Sequence, residues 1–139
     1  MRASQIVFNL QKNGNRITRT RKKIIEIFSK EDKPINAKNL LRKLSLNDDK
    51  VNKTTVYREI GFLLKQNLIQ QVYIDPKEIF YESTGLDHHH HLICNDCGKI
   101  EDVVLEKDLS DTEKELEKKM KFKVSNHSLE FFGLCVNCQ

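Results

Sequence analysis

Two Cys-x-x-Cys pairs, Cys94-Asn95-Asp96-Cys97 and Cys135-Val136-Asn137-Cys138, contain all four cysteines of this 139-residue chain. Two intervening residues let a tight turn aim both sulfurs of a pair at one point, and Gly98 directly after the first pair suits such a turn. With 37 residues between the pairs, the pattern is that of a tetrahedral thiolate cage for a structural Zn2+. Two disulfides would require an exported protein, and no stretch reads as an export signal. Redox enzymes also use Cys-x-x-Cys, though rarely twice with no other cysteine in the chain. The expectation is one zinc tying the end of the chain to its middle.

Four consecutive histidines, His88 to His91, run into the first pair. In a strand over His88 to Ile93, successive side chains alternate between faces. His89 and His91 then point one way, and His88 and His90 the other. Imidazoles two residues apart on one face can share a metal, so one strand is able to serve two separate sites. A solvated polar run or a tag remnant is the plainer reading. The run is internal, only four long, and abuts the cysteine pair, which favours metal binding.

Charge divides the chain in the same place. Residues 1–74 carry 16 Lys/Arg against 6 Asp/Glu, and residues 75–139 carry 8 against 14, so net charges of +10 and −6 make up the total of +4. A basic half suits a polyanion, and an acidic half rich in His and Cys suits cations. Hydrophobic content of 38% against 32% charged residues implies thin cores, for which a metal is a useful staple. No apolar run approaches a membrane span, and reduced cysteines without an export signal point to the cytoplasm.

Taken in order, Ser4 to Asn13 reads as a short helix with Ile6, Phe8 and Leu10 inward, closed by Gly14. Thr18 is a good N-cap for a second helix reaching about Lys30, with Ile24, Ile25 and Phe28 as its core stripe. Arg19, Arg21, Lys22 and Lys23 crowd its first turns, against the preference of the helix dipole, which suggests either an anion nearby or a solvated basic face. After a Lys33-Pro34 turn, Asn36 caps a third helix, Ala37 to Leu44. Past the polar loop Asn47-Asp48-Asp49, Asn52 opens a fourth, Lys53 to Leu64. Val56, Ile60, Leu63 and Leu64 form its buried stripe and leave Lys53, Thr54, Thr55, Tyr57 and Arg58 projecting. Such a front is equipped for a DNA major groove, although a helix of this kind is more often an ordinary surface helix.

Strand-like runs Leu68 to Ile74 and Glu78 to Glu82, joined by an Asp75-Pro76-Lys77 turn, complete the order of a winged helix. This predicts a DNA-binding domain over 1–82, a hinge over 83–87 and a metal-binding domain over 88–139. In the last, Ile100 to Leu105 reads as a strand. Ser110-Asp111-Thr112-Glu113 has capping-box spacing and opens a helix to about Lys121 with Leu116 and Met120 inward, and Phe122 to Ser125 and Ser128 to Leu134 read as strands. The fold class is α+β: a winged helix followed by a small α/β domain.

These stretches together resemble the ferric uptake regulator (Fur) superfamily. The resemblance is carried by Arg16-Ile17-Thr18, by Asn52-Lys53-Thr54-Thr55-Val56-Tyr57-Arg58, by the histidine run with Cys94, Cys97, Gly98 and Lys99, by Asn126-His127-Ser128-Leu129-Glu130, and by Gly133-Leu134 with the last cysteine pair. It covers nearly the whole chain. It implies a homodimeric, metal-dependent transcription factor, usually a repressor, whose winged helix binds an A/T-rich palindromic operator in double-stranded DNA and whose C-terminal domain dimerises. It places Thr55, Tyr57 and Arg58 in the recognition helix, Arg16 in the minor groove and structural zinc on Cys94, Cys97, Cys135 and Cys138. The resemblance further implies a regulatory hinge site at Glu82, His89, His91 and Asp102. A second dimerisation-domain site falls on His88, His90 and His127 with an acidic ligand, Asp108 or Asp111.

Many iron- and peroxide-sensing members carry a histidine where this chain has Lys33 and Pro34, while zinc sensors often have a cysteine near position 82, here glutamate. The regulatory metal is therefore expected to be Fe2+ or Zn2+, with Mn2+ a further candidate, and no small molecule other than metal ions is expected as ligand. A zinc enzyme is disfavoured, since His-x-Glu with Pro-Cys-x-x-Cys and His-Glu-x-x-His are all missing and four thiolates leave no open position on zinc. Two rival readings are a constitutive zinc-containing DNA-binding protein without metal sensing and a peroxide-responsive member of the family.

Overall fold

The computed structural model describes residues 2–46, 51–107 and 109–139, so the expected loop Asn47-Asp48-Asp49 lies outside the described residues. The chain forms two compact units, Met1–Leu86 and Asp87–Gln139. Among the described residues no helix is long and apolar enough to cross a membrane.

The first unit opens with α1 (Ala3–Lys12), whose end is set by Gly14 at φ +77°. The Gly14 N–H donates to the Gln11 carbonyl and the Asn15 N–H to the Leu10 carbonyl, both at 2.9 Å, which satisfies two carbonyls that the helix leaves open. Short polar side chains start the next three helices. Thr18 accepts from the Arg21 N–H ahead of α2 (Arg19–Phe28), Asn36 from the Asn39 N–H ahead of α3 (Ala37–Ser45), and Asn52 from the Thr55 N–H ahead of α4 (Lys53–Lys65). Asn67, at φ +52°, ends α4 as Gly14 ends α1, with N–H groups of Asn67 and Leu68 bonded to the Leu64 and Leu63 carbonyls.

Apolar stripes of these helices meet in one core, with Ile24, Leu40 and Leu44 at 0% exposure and Val56 and Leu63 at 1%. Ile6 and Leu10 join it from α1, but Phe8 is 60% exposed rather than inward. The reason is periodicity: the i, i+4 spacing of Ile6 and Leu10 defines the buried face, and Phe8 falls off it. Covering the core is an antiparallel sheet in the order β1 (Ile35–Asn36), β3 (Glu78–Ser83), β2 (Ile69–Asp75). The Asp75 carboxylate takes the Lys77 N–H at 2.7 Å and closes the wing turn. β1 has no counterpart among the sequence expectations, because two residues are too few to show a period. Helices and hairpin together form a winged helix preceded by one extra helix.

The second unit is a three-stranded sheet in the order β5 (Ile100–Val103), β4 (His90–Cys94), β6 (Glu130–Gly133), with α5 (Ser110–Met120) in the crossover that lets β6 run parallel to β4. Several expectations are corrected here. β4 begins at His90, not His88, and Phe122 to Ser125 is not a strand. Ser110 is the first residue of α5, with Leu109 at the N-cap position, and Glu113 turns away from the cap to His127. Leu116 and Met120 are 47% and 65% exposed, because no element among the described residues covers that face of α5.

Leu40→Ala removes a fully buried side chain from the first unit and should cost about 2–5 kcal/mol, read as a lower midpoint in urea unfolding at unchanged m-value.

Candidate metal centre

All four cysteines are brought together at one end of the second sheet. One ligand atom each from Cys94, Cys97, Cys135 and Cys138 lies within 4.8 Å of the others. Sulfurs 2.3 Å from a tetrahedral zinc would stand about 3.8 Å apart, and the Cys97 and Cys135 sulfurs are separated by 3.7 Å. The donor set therefore fits zinc. Backbone geometry aims the sulfurs inward: the Gly98 N–H bonds the Cys94 carbonyl at 3.0 Å and the Cys138 N–H the Cys135 carbonyl at 2.9 Å, one tight turn per pair. Gly98, at φ +70°, takes the left-handed conformation that the first turn needs.

Electrostatics at the cage are uneven. The backbone N–H groups of Cys135 and Cys97 pull the Cys94 thiol down to about 6, and the Cys135 N–H stands 3.3 Å from its sulfur. The Cys138 thiol is pushed up, first by its hydrogen bond with Asp96 and then by Cys135. Cys94 thus loses its proton to an incoming cation more readily than Cys138 does.

The histidines divide into two groups. His88 and His90 stand with ring centroids 4.9 Å apart, and each faces His127, at 5.0 and 5.4 Å. Ligand atoms of these three lie within 4.8 Å of one another. The His127 Nδ1 sits 2.8 Å from the Glu113 carboxylate, which fixes the proton on Nδ1 and leaves Nε2 as the ligating end. Among the described residues, Nε2 of His90 and Nε2 of His127 are buried without a hydrogen-bond partner. Buried nitrogens that converge with no proton donor between them fit a shared cation. Burial, then His88 and His127, lower the pKa of His90, so its ring is neutral and available at pH 7.

Of the acidic ligands expected there, Asp108 lies outside the described residues, and Asp111 has a 92% exposed side chain that points to Lys114 at 3.4 Å. Glu113 enters as the hydrogen-bond partner of His127 Nδ1, a role that the capping-box reading of its position did not show. The separation of 14 residues between Glu113 and His127 carries no local signal.

His89 and His91 form the second group, with ring centroids 4.9 Å apart. Nδ1 of His89 lies 2.6 Å from the Asp87 carbonyl, an acceptor only, so this ring too presents Nε2. Asp102 pairs with His91 in the β4–β5 register, its carboxylate 3.9 Å from His91 Nε2. In the first unit, Glu82 lies on β3 opposite Gln70, whose amide donates to it at 2.8 Å.

On α4, Lys53, Thr54, Tyr57 and Arg58 are exposed and Thr55 is half-buried. Lys53 Nζ stands 5.8 Å above the Tyr57 ring, and the Arg58 side chain is 72% exposed. Arg16 is exposed in the segment between α1 and α2. The basic cluster at the start of α2 has an internal partner that the sequence did not show: Arg21 bonds Glu59 at 2.7 Å.

Residues 12–132 match the model of the ferric uptake regulator family. The chain is 30% identical over its whole length to the ferric uptake regulation protein of Staphylococcus epidermidis, covering 97% of that protein. Among solved structures it resembles the Helicobacter pylori ferric uptake regulator, with TM-score 0.77 and 24% identity over 97% of this chain and 89% of that one. It also resembles a zinc uptake regulator complexed with zinc and DNA, with TM-score 0.69 and 26% identity over 97% and 91% of the two chains.

Cobalt titrated into the reduced, metal-free protein should give the intense thiolate-to-metal absorption of a sulfur site. Cys94→Ser should abolish that absorption and His90→Ala should leave it. Metal held by the His88, His90 and His127 group should be released on acidification, since a protonated imidazole cannot ligate, and the lowered pKa of His90 delays its share of that loss; metal analysis after dialysis at stepped pH checks this.

Proposed function

The chain belongs to the ferric uptake regulator family, and from that premise we propose that this metalloregulator is a DNA-binding transcriptional repressor of metal homeostasis, acting as a cytoplasmic homodimer. The observation that carries the reading is the division of four successive histidines into two ligand groups beside a complete thiolate cage. A protein needing only a structural metal has no use for the extra imidazoles.

In this reading Cys94, Cys97, Cys135 and Cys138 hold structural Zn2+, an interaction worth on the order of 10–16 kcal/mol apparent in small zinc domains. Glu82, His89, His91 and Asp102 hold the regulatory metal, and His88, His90 and His127 a second, with Glu113 orienting His127. A divalent cation at the regulatory site would supply a charge that carboxylates and imidazoles can share. The donor set of nitrogen and oxygen suits Fe2+ or Zn2+, and Mn2+ at lower affinity.

The residues of the first unit do the reading. Arg58 and Tyr57, exposed on α4, reach base edges or phosphates in the major groove of an A/T-rich palindromic operator, with Lys53, Thr54 and Thr55 at the helix start against the backbone. Arg16 enters the adjacent minor groove, where narrow A/T tracts concentrate negative potential. Support comes from the similar zinc uptake regulator, which is complexed with zinc and DNA. The homodimer is supported by the apolar side chains that the second unit leaves open, Phe131, Phe132, Leu116 and Met120 among them. Two-fold symmetry would then set the half-site spacing.

Operator affinity should rise with regulatory metal and lose that dependence in Glu82→Ala and His89→Ala, as read by fluorescence anisotropy. DNA binding that survives chelation mild enough to leave the cage filled would instead indicate a constitutive binder.

A further inference from the structure

Arg21 is mostly buried, its side chain 14% exposed, and makes three contacts that belong to different parts of the first unit. Its Nε donates to the carboxylate of Glu59 on α4 at 2.7 Å. Its Nη1 donates to the backbone carbonyl of Arg16 at 2.6 Å. Its guanidinium lies over the ring of Phe62, also on α4, at 3.5 Å from the centroid. The Glu59 side chain is 3% exposed, so this ion pair is largely desolvated.

Buried ion pairs contribute little net stability compared with apolar packing of the same volume, and their best-attested use is to fix one arrangement among several. The arrangement fixed here is specific. Glu59 directly follows Tyr57 and Arg58 in the sequence, while the Arg16 carbonyl belongs to the residue read above as the minor-groove contact. A planar guanidinium with donors in a fixed fork transmits direction as well as distance, which a lysine ammonium does not.

We propose that Arg21 is a positioning residue that registers the Arg16 segment against α4 through Glu59 and Phe62, so that minor-groove and major-groove contacts are presented as one rigid set. This rests on the reading of Arg16, Tyr57 and Arg58 as DNA contacts. The bracing itself does not, and the two are separable by experiment.

The variant is Arg21→Lys, which keeps charge and a donor but loses the fork. Without DNA, brief trypsin treatment of the full chain followed by mass spectrometry reports cleavage of the Arg16–Ile17 bond. The proposal expects that bond to be cut at least roughly threefold faster in Arg21→Lys, with cleavage after Lys65 in the same sample unchanged. With DNA, Arg16→Ala is compared in the wild-type and Arg21→Lys backgrounds. Coupled residues show non-additivity of about twofold to a hundredfold, so the cost of Arg16→Ala should fall by at least about threefold once Arg21 is lysine. An independent structural role predicts equal costs in both backgrounds and unchanged cleavage, and that result overturns the proposal. Should Arg21→Lys fail to fold, Glu59→Gln, which keeps the side-chain volume and one acceptor oxygen, carries the same two measurements with the same expected direction. Arg16→Ala without effect in the wild-type background would count against the DNA reading of Arg16, while the cleavage result would still decide the brace.

Discussion

Within a single chain the second unit buries little apolar surface. Among its described residues only Ile93 and Cys94 are buried hydrophobics, whereas Leu92, Phe131, Phe132 and Leu134 are all exposed. A parallel pair such as β4 and β6 also closes a long connection, which costs entropy before any contact forms. The sulfur cage acts where that cost falls. Cys94 ends β4 in register with Gly133, the Asn95 N–H bonds the Gly133 carbonyl at 2.8 Å, and Cys135 follows two residues later. A cation on these four sulfurs would clamp the carboxyl ends of both strands at one point.

The same sheet turns a low-information run of four identical residues into two chemically distinct groups. Alternation within β4 separates His90 from His91, one of the two histidines ahead of the strand joins each, and hydrogen bonds from outside the run finish the work. The Asp87 carbonyl and the Glu113 carboxylate each fix one Nδ1, so that Nε2 of His89 and His127 is the atom presented to any cation. Imidazole rings without such anchors would rotate and hold a cation poorly. The first unit uses a related device with a different purpose, a guanidinium fixed on three sides between α2 and α4.

Local chemistry was legible wherever one side chain acts within a few residues of itself. Thr18, Asn36 and Asn52 cap the helices that they were expected to cap, because the acceptor and the N–H it satisfies are three residues apart. The wing turn at Asp75 is of the same kind. Expectations failed where a helical stripe was assumed to have a partner. Leu116 and Met120 keep helical spacing yet stay exposed, since periodicity says which face is apolar and not whether this chain covers it. Phe8 and the absent strand at Phe122 to Ser125 show a second limit, that a hydrophobic residue or short run without a strong period takes its place from its neighbours.

What the sequence alone determined is everything carried by spacing: two Cys-x-x-Cys turns, the grouping of His88 with His90 and of His89 with His91, the capped helices and the basic front of α4. These are short-range geometry, the same in any fold that contains them. Tertiary structure alone decided that Glu113 meets His127 across 14 residues and that Arg21 meets Glu59 across 38. Those pairings depend on which surfaces pack, and packing is a property of the whole chain that no window of neighbouring residues contains.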